Sequence, residues 1–200
     1  ALNKLIAKNQ SRDICAEVYL LKAQEAVNAG VPASGLQLCD EAISRYPAYH
    51  RINALKELKQ DILSPDFTVQ TPSAVYPGEE FDLKVSFKNL KSFAVQLYAI
   101  NLPARPNAVE VPDEKFLKKY GRLLSSVHYV LFPSGDYKMQ DSIFHMKAPE
   151  TGLYALRIVP DAEVRSNSAK FLSSTRFKVL TRSLPSKLSE VAVLDDMSGK

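Results

Sequence analysis

Residues 65–101 read PDFTVQTPSAVYPGEEFDLKVSFKNLKSFAVQLYAIN. Within them Phe81, Leu83, Val85 and Phe87 alternate with Asp82, Lys84, Ser86 and Lys88. Strict period-two alternation marks a strand with one face on a core and the other in water. The segment Tyr76-Pro77-Gly78-Glu79 precedes it as a turn, because Pro presets φ and Gly supplies the permissive corner. After a second turn at Asn89-Leu90-Lys91-Ser92, an apolar strand runs from Phe93 to Ile100. The chain before this stretch reads as helix, and most of the chain after it reads as strand.

Upstream, residues 11–29 predict a first helix, with Ser11 as its N-cap. Ile14, Val18, Leu21 and, one turn on, Glu25 to Ala26 carry the helical spacing. Gly30 stops it. Pro32 opens a second helix through Leu36, Cys39, Ala42 and Ile43 to Tyr46, and Pro47 ends that one. A third helix, about His50 to Leu63, sets Ile52, Leu55, Leu58 and Ile62 three and four residues apart. Tyr19, Ala23, Gly35 and Ala42 fall where a tetratricopeptide repeat keeps its packing positions, so the segment resembles one degenerate repeat plus a following helix. A single repeat cannot bury its own face. It is expected either to dock on the β part or to continue into further repeats upstream. Ser64-Pro65 marks the boundary, since a residue before proline disfavours helix.

Downstream of Ile100, Leu102 to Pro112 is irregular and holds three prolines. A short helix follows from Pro112-Asp113-Glu114, with Phe116, Leu117 and Tyr120 on one side and Gly121 as its stop. Strands are predicted at about 126–132, 139–147, 152–159 and 170–180. Turns separate them at Pro133 to Asp136, Pro149 to Gly152 and Pro160 to Ser168. Short strands at this spacing, with no helices between them, indicate an antiparallel sandwich. Tyr154, just after a turn glycine, suggests the tyrosine corner of immunoglobulin-like sandwiches.

Composition excludes several function classes. At 200 residues the chain is long enough for a real core, and 46% apolar with 24% charged residues is ordinary globular composition. The net charge of +4 is spread along the chain, not gathered into the basic stripe of a nucleic-acid binder. No run approaches the roughly 18 apolar residues of a membrane span. The opening ALNKLIAKNQ is not a signal peptide. A chain that does not begin with Met is expected to be an excised piece whose targeting segment lies elsewhere.

Candidate chemistry is sparse. On an antiparallel helical hairpin, Cys15 lies about 13 Å along the axis from the level of Cys39. That exceeds the ~7 Å Cα separation a disulfide tolerates, so both are expected to be buried free thiols. His128 and His145 fall on adjacent predicted strands with Asp141 nearby, a two-histidine-plus-carboxylate pattern. Ordinary strand histidines are the expectation. Ser126, His128 and Asp136 make a triad on paper, but no nucleophile-elbow or oxyanion glycine pattern surrounds Ser126. Lys115, Lys118, Lys119 and Arg122 form the one basic cluster, with Phe116 and Tyr120 interleaved. A solvated helix face with its aromatics on the sandwich is expected there. The seven glycines form no phosphate-binding loop. No catalytic, cofactor-binding or metal residue is assigned.

The order of ILSPDF, VYPGEEFDLKVSFKNL, FAVQLYAINLP, APETGLYALRIVPD and SEVAVLDDMSGK resembles the N-terminal region of long bacterial alpha-2-macroglobulins, over about residues 36–200. That resemblance implies a helical lead followed by macroglobulin domains, which are fibronectin-III-like sandwiches. It further implies a large envelope-associated or periplasmic protein that traps proteases by way of a bait segment. The family's Cys-Gln thioester is not carried over, because neither Cys15 nor Cys39 lies in a CxEQ or CLEQ context. The expected architecture is therefore an α+β multidomain chain. Residues 1–65 form a helical, TPR-like segment, and 66–182 an antiparallel immunoglobulin- or fibronectin-III-like β-sandwich. Residues 183–200 form a linker and the severed first strand of a following domain. The expected role is a non-catalytic structural module with no cofactor. Its partners would be neighbouring macroglobulin domains and a protease captured by the whole protein, without nucleic acid or membrane insertion. The alternative is a cell-surface module gripping a glycan or a peptide.

Overall fold

The computed structural model describes residues 13–102, 111–162, 164, 169–183, 185 and 189–195. Three helices lead: α1 (Cys15–Asn28), α2 (Pro32–Arg45) and α3 (Ile52–Leu63). The predicted cap at Ser11, most of the irregular stretch after Leu102 and the turn after Asp195 lie outside the described residues. The buried face of α1 differs from the predicted stripe. Cys15, Ala16, Tyr19, Leu20 and Ala23 are buried, whereas Ile14 and Leu21 are exposed. The cause is close helix packing. A Cβ added at Gly35 of α2 would stand 2.9 Å from Val27 Cγ2 and 3.0 Å from the Ala23 carbonyl. At that contact Ala23 and Gly35 must be small, and they carry less hydrophobic signal than the Ile, Val and Leu of the predicted stripe. Leu55 and Ile62 of α3 are buried as predicted, among the helices.

The strands are β1 (Asp66–Gln70), β2 (Ala74–Val75), β3 (Glu80–Lys88), β4 (Ser92–Ile100), β5 (Gly121–Val130), β6 (Gln140–Lys147), β7 (Gly152–Pro160) and β8 (Ala169–Ser174). One sheet has the order β1-β3-β6 and the other β2-β8-β7-β4-β5. Their inner faces close one core, with Phe67, Leu83 and Val85 from the first sheet and Phe93, Val95, Leu156 and Leu172 from the second. In immunoglobulin lettering the sheets read A-B-E and A′-G-F-C-C′, so the chain is an immunoglobulin-like β-sandwich behind a helical lead. The tyrosine corner is formed: Tyr154 Oη, near the start of β7, donates to the Glu150 carbonyl at 2.9 Å. In β3 the burial alternates strictly, as read from the sequence, up to its last residues. The turn before it has Gly78 at φ +80° and a 3.2 Å bond from Glu79 N–H to the Tyr76 carbonyl.

Between β4 and β5 lies α4 (Glu114–Tyr120), capped by Asp113 Oδ1, which accepts from Phe116 N–H at 2.7 Å. Phe116 and Leu117 pack with Ala155 and Phe171 on the outer face of the five-stranded sheet. The strand β5 begins at Gly121, five residues earlier than predicted. A Cβ at Gly121 would lie 2.7 Å from the Leu117 carbonyl, so helix turns directly into strand only because this residue is glycine. The strand expected over 170–180 is two strands in two sheets. After β8 the chain leaves the sandwich as β9 (Phe177–Ser183), which pairs antiparallel with β10 (Ser189–Asp195) in a separate two-stranded ribbon. The last strand, expected to await a partner after it, thus has its partner before it.

Candidate functional site

The catalytic constellations weighed from sequence do not assemble. His128 lies on β5, opposite Ala94 in the five-stranded sheet. His145 lies on β6 of the other sheet, opposite Asp82, and its Nδ1 is 2.9 Å from Asp82 Oδ1. The neighbours of His128 and of His145 across the strands alternate with core-facing residues, so both rings are on outward faces, on opposite sides of the sandwich. Adjacent strands in sequence here belong to different sheets, which the one-dimensional pattern cannot reveal. Asp141, the carboxylate of that pattern, accepts instead from Ser86 Oγ at 2.5 Å. Among the described residues no group of three or more His, Cys, Asp and Glu side chains is placed to hold a metal ion.

The paper triad is likewise dispersed. Ser126 and His128 share the outward face of β5. Asp136 is occupied in its own turn by Ser134 Oγ and by the Lys138 N–H at 3.2 Å, and the Ser134 hydrogen bond lowers its carboxyl pKa. Cys15 and Cys39 are buried thiols that are not joined in a disulfide. Burial pushes the Cys39 thiol up to about 11, which makes it a poor nucleophile near neutral pH. Burial and a hydrogen bond to Glu41 raise the Tyr19 hydroxyl to about 12. Tyr49, which donates to Glu17, is raised by the same causes. In the basic cluster, Lys118 pairs with Glu114 at 3.1 Å and Lys119 sits 5.0 Å from the Tyr120 ring centre. Phe116 is buried on the sheet and Tyr120 is half-buried, so the lysines of the cluster lie on a solvated helix face.

Among the described residues two apolar surfaces stand out. In the β9–β10 ribbon, Val179 is opposite Val193, Thr181 opposite Val191 and Phe177 opposite Asp195. These residues share one face, because opposed residues of an antiparallel pair point the same way. On it Phe177, Val179, Val191 and Val193 are 58%, 60%, 58% and 59% exposed. The second place is the open side of the sandwich, where edge strands β5 and β6 meet. There Phe132 is 83% exposed and, with Val130, Ile143 and Phe144, borders a groove of about 360 Å³. In the sequence Phe132 is the last residue of the strand expected over 126–132, before Pro133, whereas the strand ends at Val130. Among the described residues no helix is long and apolar enough to cross a membrane.

No family model and no curated protein sequence matches the chain. Solved structures are similar over part of it. The CARDB domain from Pyrococcus furiosus, crystallised with di-metal ions, is 17% identical over 56% of this chain and 89% of that one, with a TM-score of 0.31. The sporulation control protein of Bacillus subtilis is 12% identical over 66% and 67%, with a TM-score of 0.32. A chitin-binding domain from Burkholderia pseudomallei is 13% identical over 66% and 68%, also with a TM-score of 0.32. Similarity at this level assigns neither activity nor ligand to the chain.

Proposed function

We propose that this chain is a non-catalytic structural module of a large alpha-2-macroglobulin-like protein, which traps proteases in the periplasm or at the cell envelope. The observation that carries the reading is the β9–β10 ribbon. A two-stranded ribbon is marginal in water by itself and needs a third strand or a packed layer on its apolar face. The row Phe177, Val179, Val191 and Val193 offers that face to further polypeptide, as the first strands of a following macroglobulin domain would. The dispersal of Ser126, His128, Asp136 and His145 is consistent with a scaffold. On this reading the sandwich is a macroglobulin-type, fibronectin-III-like domain. The helical lead is then a degenerate TPR-like repeat, supported by the burial of Tyr19, Ala23, Gly35 and Ala42 at its packing positions.

The test is capture. The longer gene product containing this sequence, mixed with an endopeptidase, should elute with that protease as one large complex in gel filtration. Free protease beside simple fragments contradicts the reading. A second reading, a binding module for a peptide or glycan, is favoured by the Phe132-lined groove alone. Binding in an array that Phe132→Ser abolishes would select it.

A further inference from the structure

The helical lead and the sandwich have separate apolar clusters with no member in common. Their described link is polar and is concentrated at the C-terminus of α3. The last carbonyls of a helix lack partners within it and must find them elsewhere. Here the Gln60 carbonyl accepts from the Ser64 N–H at 2.8 Å and from Ser64 Oγ at 2.7 Å. The next carbonyls are served from across the junction by the β3–β4 turn. Lys88 Nζ donates to the Asp61 carbonyl at 2.9 Å, and Asn89 Nδ2 donates to those of Ile62 at 2.9 Å and Ser64 at 3.3 Å.

The geometry of the turn holds these donors in place. Asn89 has φ +54°, a left-handed conformation that asparagine tolerates better than most residues. Leu90, the next residue, is 1% exposed and anchors in the sandwich core. Lys88 ends β3 in register with Asp66, the first residue of β1. Its cation also stands where the helix dipole is negative. The turn is therefore fixed to the sandwich on one side and completes a helix on the other.

We infer that the β3–β4 turn is a clamp that holds the helical lead at one orientation to the sandwich, with Asn89 as its positioning residue. The two parts then present their surfaces as one body instead of swinging about Ser64-Pro65. The variant Asn89→Gly tests this, because glycine keeps the left-handed backbone and removes only the amide. Spin labels at Gln24→Cys and Lys147→Cys report the distance between α1 and β6, while hydrogen exchange reports the Ser64 amide. The parent should give one narrow distance distribution. Asn89→Gly should broaden it and speed Ser64 exchange about fivefold, the scale of the shorter of its two lost hydrogen bonds, with β3 amides unchanged. The same narrow distribution and the same Ser64 exchange in parent and variant would overturn the clamp. Should Asn89→Gly unfold the sandwich, Lys88→Met decides, since it removes one donor and leaves the turn intact. Broadening there supports the clamp, and an unchanged distribution overturns it.

Discussion

Replacing Tyr154 by phenylalanine removes one oxygen from the corner that pins β7 to the preceding turn. The ring is 8% exposed and belongs to the sandwich core, while its hydroxyl donates to the Glu150 carbonyl at 2.9 Å. A neutral hydrogen bond of this kind contributes about 0.5–1.5 kcal/mol net. Glu150 itself is exposed, so water can take over its carbonyl, which points to the lower half of that range. The expected loss is therefore about 0.5–1 kcal/mol. Tyr154→Ala removes the buried ring as well and should cost about 3–5 kcal/mol, as for large aromatic truncations in cores. Urea unfolding monitored by circular dichroism measures both, with the midpoint falling and the slope constant. Equal losses for the two variants, or none for Tyr154→Phe, would refute the corner's role in holding the sandwich.

Other outcomes rest on specific contacts. Gly35→Ala should destabilise the helical lead by about 1–3 kcal/mol, because the new methyl meets the Ala23 carbonyl at 3.0 Å; thermal melting of the helices checks it. Phe93→Ala should cost about 3–5 kcal/mol in urea, since its ring bridges the sheets to Phe67 and Phe144 at 5.3 Å each. Deleting 189–200 should leave the sandwich's unfolding within about 0.5 kcal/mol of the parent, because among the described residues β10 pairs only with β9. Cys39 and Tyr19 are raised to about 11 and 12, so the unfolded chain ionises first as pH rises from about 9. Stability from these groups is complete below that pH and is lost toward 11–12. Thermal melts across this range should show a falling helical transition, whereas a flat profile contradicts the burial of these groups.

The alternating pattern of Phe81, Leu83, Val85 and Phe87 placed a strand and its core face without ambiguity, because a period of two leaves one solution. The proline and glycine turns worked for the same reason, being local. Features that needed tertiary knowledge were not legible. Helix α1 buries Cys15, Ala16, Tyr19, Leu20 and Ala23 in place of the Ile14–Leu21 stripe, with Ala23 where α2 approaches closely at Gly35. His128 and His145 lie near each other in strand order, yet crossing between sheets separates them. The separation of β8 from β9 was hidden because both are short and β-prone, and only Thr175 and Arg176 stand between them. The donors to α3 were invisible because Lys88 and Asn89 look like an ordinary strand end and turn.

The central claim is that the ribbon's apolar face is covered in a larger structural protein. Hydrogen exchange of residues 177–183 and 190–194, compared between this chain alone and the larger protein that the reading proposes, tests it most directly. The account predicts fast exchange in the chain alone, where Val179 and Val193 face water, and at least roughly a hundredfold slower exchange in the longer protein, as for packed strands. Equally fast exchange in both would contradict it.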